Sequence, residues 1–179
     1  GPTVTKTISG INGALIVTGD IESLQGTVDG NLTIGAFKTS STSGDGNIKV
    51  DGDLEYQSRK ANTNFKYSDA PELFTNSGAD VSLPYVDTLK AQVVALDDVL
   101  GLVSEKEVII PRYDLANQAV GASKTDSLNL DCIVMTTGSS TAATTDGSFY
   151  PEDMLNRYPG ICHRLGGMVQ AREKSWALF

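Results

Sequence analysis

Gly13-Ala14-Leu15-Ile16-Val17-Thr18-Gly19-Asp20-Ile21 and Gly46-Asn47-Ile48-Lys49-Val50-Asp51-Gly52-Asp53-Leu54 share one grammar: apolar residues at the same alternating offsets, bracketed by glycines and closed by Gly-Asp and an aliphatic residue. A shorter unit, Gly30-Asn31-Leu32-Thr33-Ile34-Gly35, lies between them. The three starts fall 17 and 16 residues apart. That spacing suits strands of about 4–6 residues separated by Gly, Asp and Asn turns, and leaves no room for a helix in each repeat. Period-two alternation puts Leu15, Val17, Leu32, Ile34, Ile48 and Val50 on one face, and stacking unit on unit makes that face a continuous core. Glycine supplies the positive φ where the chain turns a corner. The pattern predicts a mainly β chain, a single-stranded β-solenoid (β-helix) with one short helix and long surface loops. A meander of hairpins in a sandwich is the alternative, and alternation alone does not separate the two.

Outward from this repeat, Val86, Leu89, Val93, Leu96, Leu100 and Val103 follow steps of three and four, which predicts a short amphipathic helix within 85–100, covering an end or side of the rungs. Strand grammar returns in Val108-Ile109-Ile110 and in Leu128 to Met135, and the last apolar unit is Leu165-Gly166-Gly167-Met168-Val169. The expected organisation is one domain over 3–179: N-terminal rungs over 3–56, a loop and the short helix over 57–103, and C-terminal rungs over 104–179 with a loop at 136–160. Gly1-Pro2 has the look of a protease scar, so a membrane helix removed upstream is the one expected link to a membrane.

The composition narrows the function classes. Among 179 residues are 18 glycines, one His, two Cys and one Trp, and 22 acidic residues against 14 basic give a net charge of −8. One imidazole excludes multi-His metal centres and leaves little for acid–base work at neutral pH. The acidic balance disfavours nucleic acid as a partner, because phosphate binding rests on Lys and Arg. His163 has no Gly-x-Ser-x-Gly phrase beside it and reads as a solvated strand residue. Ala122-Ser123-Lys124-Thr125 lacks the glycines of a phosphate loop.

The repeat unit, together with Leu100-Gly101-Leu102-Val103-Ser104 through Val108-Ile109-Ile110-Pro111 and the closing Gly166-Gly167-Met168-Val169-Gln170-Ala171-Arg172, resembles prokaryotic minor-pilin-like surface proteins of the type IV pilus system. In those relatives a β-solenoid follows an N-terminal membrane helix. The resemblance covers about two thirds of the chain and departs at the end, where Arg172-Glu173-Lys174 lacks the usual glycine. It implies an extracellular or cell-surface module without enzyme activity, whose partners are other pilus or surface proteins and a surface polysaccharide or substrate. Residues 13–54 are also similar to bactofilins, which implies the alternative of a cytoplasmic self-polymerising scaffold. A third reading is a carbohydrate-active β-helix enzyme, which needs two carboxylates about 5–10 Å apart in a groove.

Three groups of residues are candidates for a site. Asp45, Asp51, Asp53 and Glu55 surround Gly52 and could offer oxygen ligands to Ca²⁺, the one cofactor considered; aspartate beside glycine is also the ordinary way to build a turn. Arg59, Lys60, Phe65, Lys66 and Tyr67 form the densest basic and aromatic mixture in an acidic chain, a candidate contact for an anionic or sugar-bearing partner, or else stems packed along a strand edge. Partner contacts are expected on strand faces and in the interruptions 38–46, 57–80 and 136–160. Cys132 and Cys162 are 30 residues apart and could bridge in an oxidising compartment; the alternative is that Cys132 is a small buried hydrophobe in its strand. The surface-protein resemblance implies the bridge.

Overall fold

A computed structural model describes residues 12–39, 44–61, 97–111, 128–138, 147–152 and 162–171. The alternating runs form eleven strands among these residues, and one helical turn, α1 (Gln57–Ala61), is the only helix among them. Sheet A has the order β1 (Gly13–Thr18), β3 (Asn31–Phe37), β5 (Val99–Ser104), β8 (Ile133–Thr136), β11 (Met168–Gln170). Sheet B is built on β4 (Ile48–Tyr56). One edge of β4 takes β2 (Ile21–Val28); the other takes β6 (Val108–Ile110) at its start and β7 (Leu128–Asp131) further along. Beyond them lie β9 (Phe149–Pro151) and β10 (Cys162–Leu165). Every pairing is parallel. The protein is therefore mainly β, with two parallel sheets.

The core follows from the register. Leu15, Ile34, Leu102, Val134 and Met168 occupy one column across all five strands of sheet A. From sheet B, Ile48, Val50, Leu54, Val108, Leu130 and Phe149 are buried in the same cluster. All six residues expected to point inward do so to some degree: Ile34, Ile48 and Val50 are buried, while Leu15, Val17 and Leu32, nearer the β1 end, are half-buried.

The repeat predicts strands correctly but not their stacking partners. The unit at Gly13 becomes β1 in sheet A, whereas the matching unit at Gly46 becomes β4 in sheet B. Stacked residues in the Leu15 column are separated by 19, 68, 32 and 34 residues, not by 16 or 17. The shared grammar reports the common need of any strand with one buried face, whichever sheet it joins.

Four further expectations change. Of the helix placed within 85–100, residues 85–96 lie outside the described residues, and Val99 and Leu100 open β5 in register with Asn31 and Leu32. Their period-two alternation with Leu102 overrides the helical steps, because pairing against β3 and β8 buries Leu100 and Leu102 completely. The boundary at 103–104 thus falls inside a strand. The one described helix lies instead in the stretch read as a polar loop. The run from Leu128 to Met135 is two strands in different sheets, with Cys132 as the corner between them. Within the interruption expected over 136–160, Phe149–Pro151 pairs with β6.

Corners are tied by polar groups that also point inward. Below the apolar column of sheet A, Ser104, Thr136 and Gln170 share a second column. The Ser104 hydroxyl lies 2.6 Å from the Gly46 carbonyl and 2.8 Å from that of Glu107, and Thr136 donates to Gly147 O at 2.6 Å. The Gln170 side-chain oxygen accepts from Phe149 N–H at 3.2 Å. Buried backbone carbonyls and amides at these corners would otherwise lack partners, so side chains supply them.

At the opposite corner, Gly166 has φ +137° and its α-carbon faces the Cys132 carbonyl so closely that a Cβ would collide with backbone. Replacing Gly166 with Ala should therefore cost about 2 kcal/mol or more, from positive φ and collision together. Gly13, also at positive φ (+150°) but with open space at its Cβ position, is the comparison, and Gly13→Ala should cost less. Urea denaturation of both variants checks the order; equal stabilities would refute the close approach at Gly166.

Candidate functional site

The four carboxylates proposed for Ca²⁺ do not converge. Asp51, Asp53 and Glu55 lie along β4 at the outward parity of the strand, and Gly52 is mid-strand, its missing side chain leaving room for Gln25. Each carboxylate has its own work. Asp51 accepts from the Ser23 hydroxyl at 2.8 Å and from Leu24 N–H, fastening β2 to β4 where their register shifts. Asp53 accepts from Asn129 N–H at 2.8 Å and so holds β7; it is not a turn former. Glu55 pairs with Arg59 and accepts from the Asn129 side-chain amide. Asp45 sits in the connection before β4 and is bridged by Lys38 at 2.9 Å and Lys106 at 2.7 Å. Among the described residues, no group of three or more His, Cys, Asp or Glu side chains is arranged to hold a metal ion. Asp20 lies in the connection between β1 and β2, but its carboxylate accepts from Asp45 and Asn47 N–H, far along the chain, and so shapes the approach to β4.

The basic and aromatic patch is corrected at its first member. Arg59 is 8% exposed: its guanidinium donates through Nε to Asp131, which is fully buried, and through Nη2 to Glu55 at 2.6 Å. It is a structural cation inside the fold, placed there because α1 follows β4 directly and carries Arg59 back one turn over Glu55. Lys60 lies in α1, and Phe65, Lys66 and Tyr67 lie outside the described residues.

Around Arg59 a junction forms that sequence reasoning missed. Asp131 accepts from Tyr56 N–H at 2.9 Å as well as from Arg59. The Tyr56 hydroxyl reaches across to sheet A and accepts from Leu100 N–H at 3.3 Å; burial raises its pKa and keeps the phenol protonated. Asp98, just before β5, accepts from Gly30 N–H and from both the N–H and the hydroxyl of Ser58. Burial alone would push the Asp98 carboxyl up, but these donors, with Gln57 N–H, outweigh it and hold the group below the ordinary carboxylate range. A carboxylate held ionised by fixed donors is an anchor, and Asp98 ties the entrances of β3 and β5 to α1. The signal available in sequence was weak: Asp97 and Asp98 fall within the helix expected over 85–100, and only spatial pairing reveals the partners.

Cys132 is buried, at 1% exposure, and carries a thiol rather than half of a disulfide. Register explains why the bridge to Cys162 fails. Cys162 stands opposite Leu128, four residues before Cys132, a displacement of about 13 Å along the strands, whereas bridged Cα atoms sit about 4.4–6.8 Å apart. The alternative reading, a small buried hydrophobe, describes Cys132 at its corner. His163 stands opposite Asn129 in β10.

The two sheets present different outer faces. Sheet B carries Glu22, Lys49, Asp51, Asp53 and Glu55, with Lys49 and Glu22 paired at 2.7 Å. The five strands of sheet A contain no charged residue, and Ile16, Val99, Ile133, Met135 and Val169 are exposed there. The readable signal was the consecutive apolar runs Leu15-Ile16-Val17 and Ile133-Val134-Met135, in which both strand faces are apolar. No described helix is long and apolar enough to cross a membrane.

Two outcomes follow. Arg59→Met strands Asp131 in the interior and should cost about 3–5 kcal/mol; joining it to Asp131→Leu should recover part of that loss, as double-mutant denaturation cycles will show. Asp45, held at about 2 by the hydrogen bonds from Lys106 and Lys38, is ionised in the fold below the pH at which an unfolded Asp protonates. Its stabilisation is complete above about pH 4 and is lost as pH falls through about 2. Because the side chains are partly exposed, the amount is about 1 kcal/mol or less. Asp45→Asn should flatten that part of the stability profile between pH 4 and 2, read by urea titration at each pH. No protein-family model, curated protein or solved structure matches the chain, so its function is read from its own residues.

Proposed function

We propose that the two parallel sheets are two faces of a β-solenoid and that this solenoid is a non-enzymatic cell-surface or pilus-associated module for structure or adhesion. The observation that carries the reading is the all-parallel order of both sheets, with the chain passing repeatedly from A to B and back while the same inward column is extended. Solenoids of this kind present extended faces and interrupting loops to partners. The described carboxylates support the same reading, since Asp45, Asp51, Asp53, Asp98 and Asp131 each hold a strand or corner in place.

A cytoplasmic self-polymerising scaffold is the second reading, favoured by one observation: β1 and β11 each have a paired strand on one side only among the described residues. Open parallel edges can add further strands, β11 of one copy beside β1 of the next. The net charge of −8 opposes such stacking by self-repulsion.

Immunogold labelling of intact and permeabilised source cells, with a sheared pilus fraction probed alongside, separates the two. Label on intact cells and in the sheared fraction is the expected outcome. Label confined to permeabilised cells, together with ordered filaments of pure protein by electron microscopy, would overturn the surface reading in favour of the scaffold.

A further inference from the structure

We propose that the outer face of sheet A is a pairing surface for a second copy of this chain, sheet packed against sheet. The face combines two properties that ordinary solvated strands do not share. It is uncharged across all five strands, in a protein where one residue in five is charged. It also exposes large apolar side chains in register: Ile16 at 57%, Met135 at 43% and Val169 at 61% belong to one column, with Gly35 and Val103 between them. Over Gly35 the Phe37 ring and the Ile16 side chain lie close enough to take the place of a side chain, which levels the face.

Charge selects the occupant. Copies that met through sheet B would press the exposed Glu22 and Asp53 against their like, within a molecule already at −8. Pairing through sheet A leaves both B sheets on the outside of a four-layer stack. With sheets about 10 Å apart, the two charged faces then stand about 30 Å from each other, several screening lengths at physiological salt. A charged peptide or an acidic polymer would find no counter-charge on the face, whereas a second uncharged sheet matches it.

Geometry agrees. The strand order is centred on β5, so a two-fold axis along β5 lays β1 over β11 and β3 over β8 while preserving height along the strands. Ile16 then meets Val169 of the partner subunit, and Met135 meets the Phe37 and Gly35 surface. The five strands hold 26 residues, which at about 4.8 Å between strands and about 3.3 Å per residue give about 400 Å² per copy, or about 800 Å² in the pair, below the roughly 1,000 Å² of a stable specific interface. The pair is accordingly weak and reversible, and it differs from the edge-to-edge filament because it closes after two copies.

Sedimentation equilibrium of the full chain, from about 5 µM to about 1 mM, tests it. A reversible monomer–dimer equilibrium is expected. Met135→Glu with Val169→Glu should weaken association at least about tenfold, Met135→Thr with Val169→Thr should weaken it less, and Glu22→Gln should not weaken it. Thr keeps strand propensity, and circular dichroism establishes that each variant folds. A chain that stays monomeric throughout, or a dimer indifferent to both paired substitutions, overturns the proposal. So does a monomer that instead binds neutral phosphatidylcholine vesicles through Met135 and Val169, which would make the face a lipid contact.

Discussion

The register of sheet A governs the rest of the molecule. Leu15, Ile34, Leu102, Val134 and Met168 share one column because a slip of a single residue would turn each aliphatic side chain outward and bring its neighbour in. In β5 such a slip would bury Gly101 in place of Leu102 and leave a void. The same register aligns Ser104, Thr136 and Gln170, so the hydroxyls and amide arrive where the corner carbonyls and amides need partners. Apolar packing thus positions the polar bonds, and the polar bonds close the corners that let the next strand enter at the right height.

A second, ionic constraint operates where sheet B passes its chain to α1 and then to sheet A. Arg59 and Asp131 are buried together, and desolvating two charges is costly unless their remaining hydrogen-bonding capacity is met. Glu55 and Tyr56 N–H meet it. The arrangement stabilises less than an apolar plug of the same size, but it selects one path: the turn that places Arg59 over Glu55 also reaches Asp131. Asp98 fixes the neighbouring chain by the same logic, through donors on α1 and at the entrance of β3.

Much of this was legible in the residues and some was not. Strand grammar located β1, β3, β4, β6 and β11, since each needs one apolar face whatever its partners. Stacking order was hidden, because the connections differ in length while the strands look alike. Steps of three and four ran into β5, where Leu100 and Leu102 satisfy two periods at once and pairing decides. The candidate ligands Asp51, Asp53 and Glu55 were correctly seen as neighbours, but a strand sends each to a different cross-strand partner. Arg59 looked like a surface cation because its partner Asp131 is 72 residues away in sequence.

The interruptions of sheet B coincide at one lateral position. Beside the middle of β4, near Gly52, the register of β2 shifts, and the paths of β6 into β7 and of β9 into β10 are broken by 17 and 10 intervening residues. Sheet A at the same height runs unbroken from β1 to β11. Mechanical continuity and tolerance of length variation are thereby assigned to opposite sides of the molecule. Because closing a longer loop costs only about 0.6 kcal/mol per doubling, extra chain added at that break perturbs neither the inward column nor the corners. The break is where an epitope or a small folded insert could be grafted, and where descendants of this sequence have most freedom to change what they display.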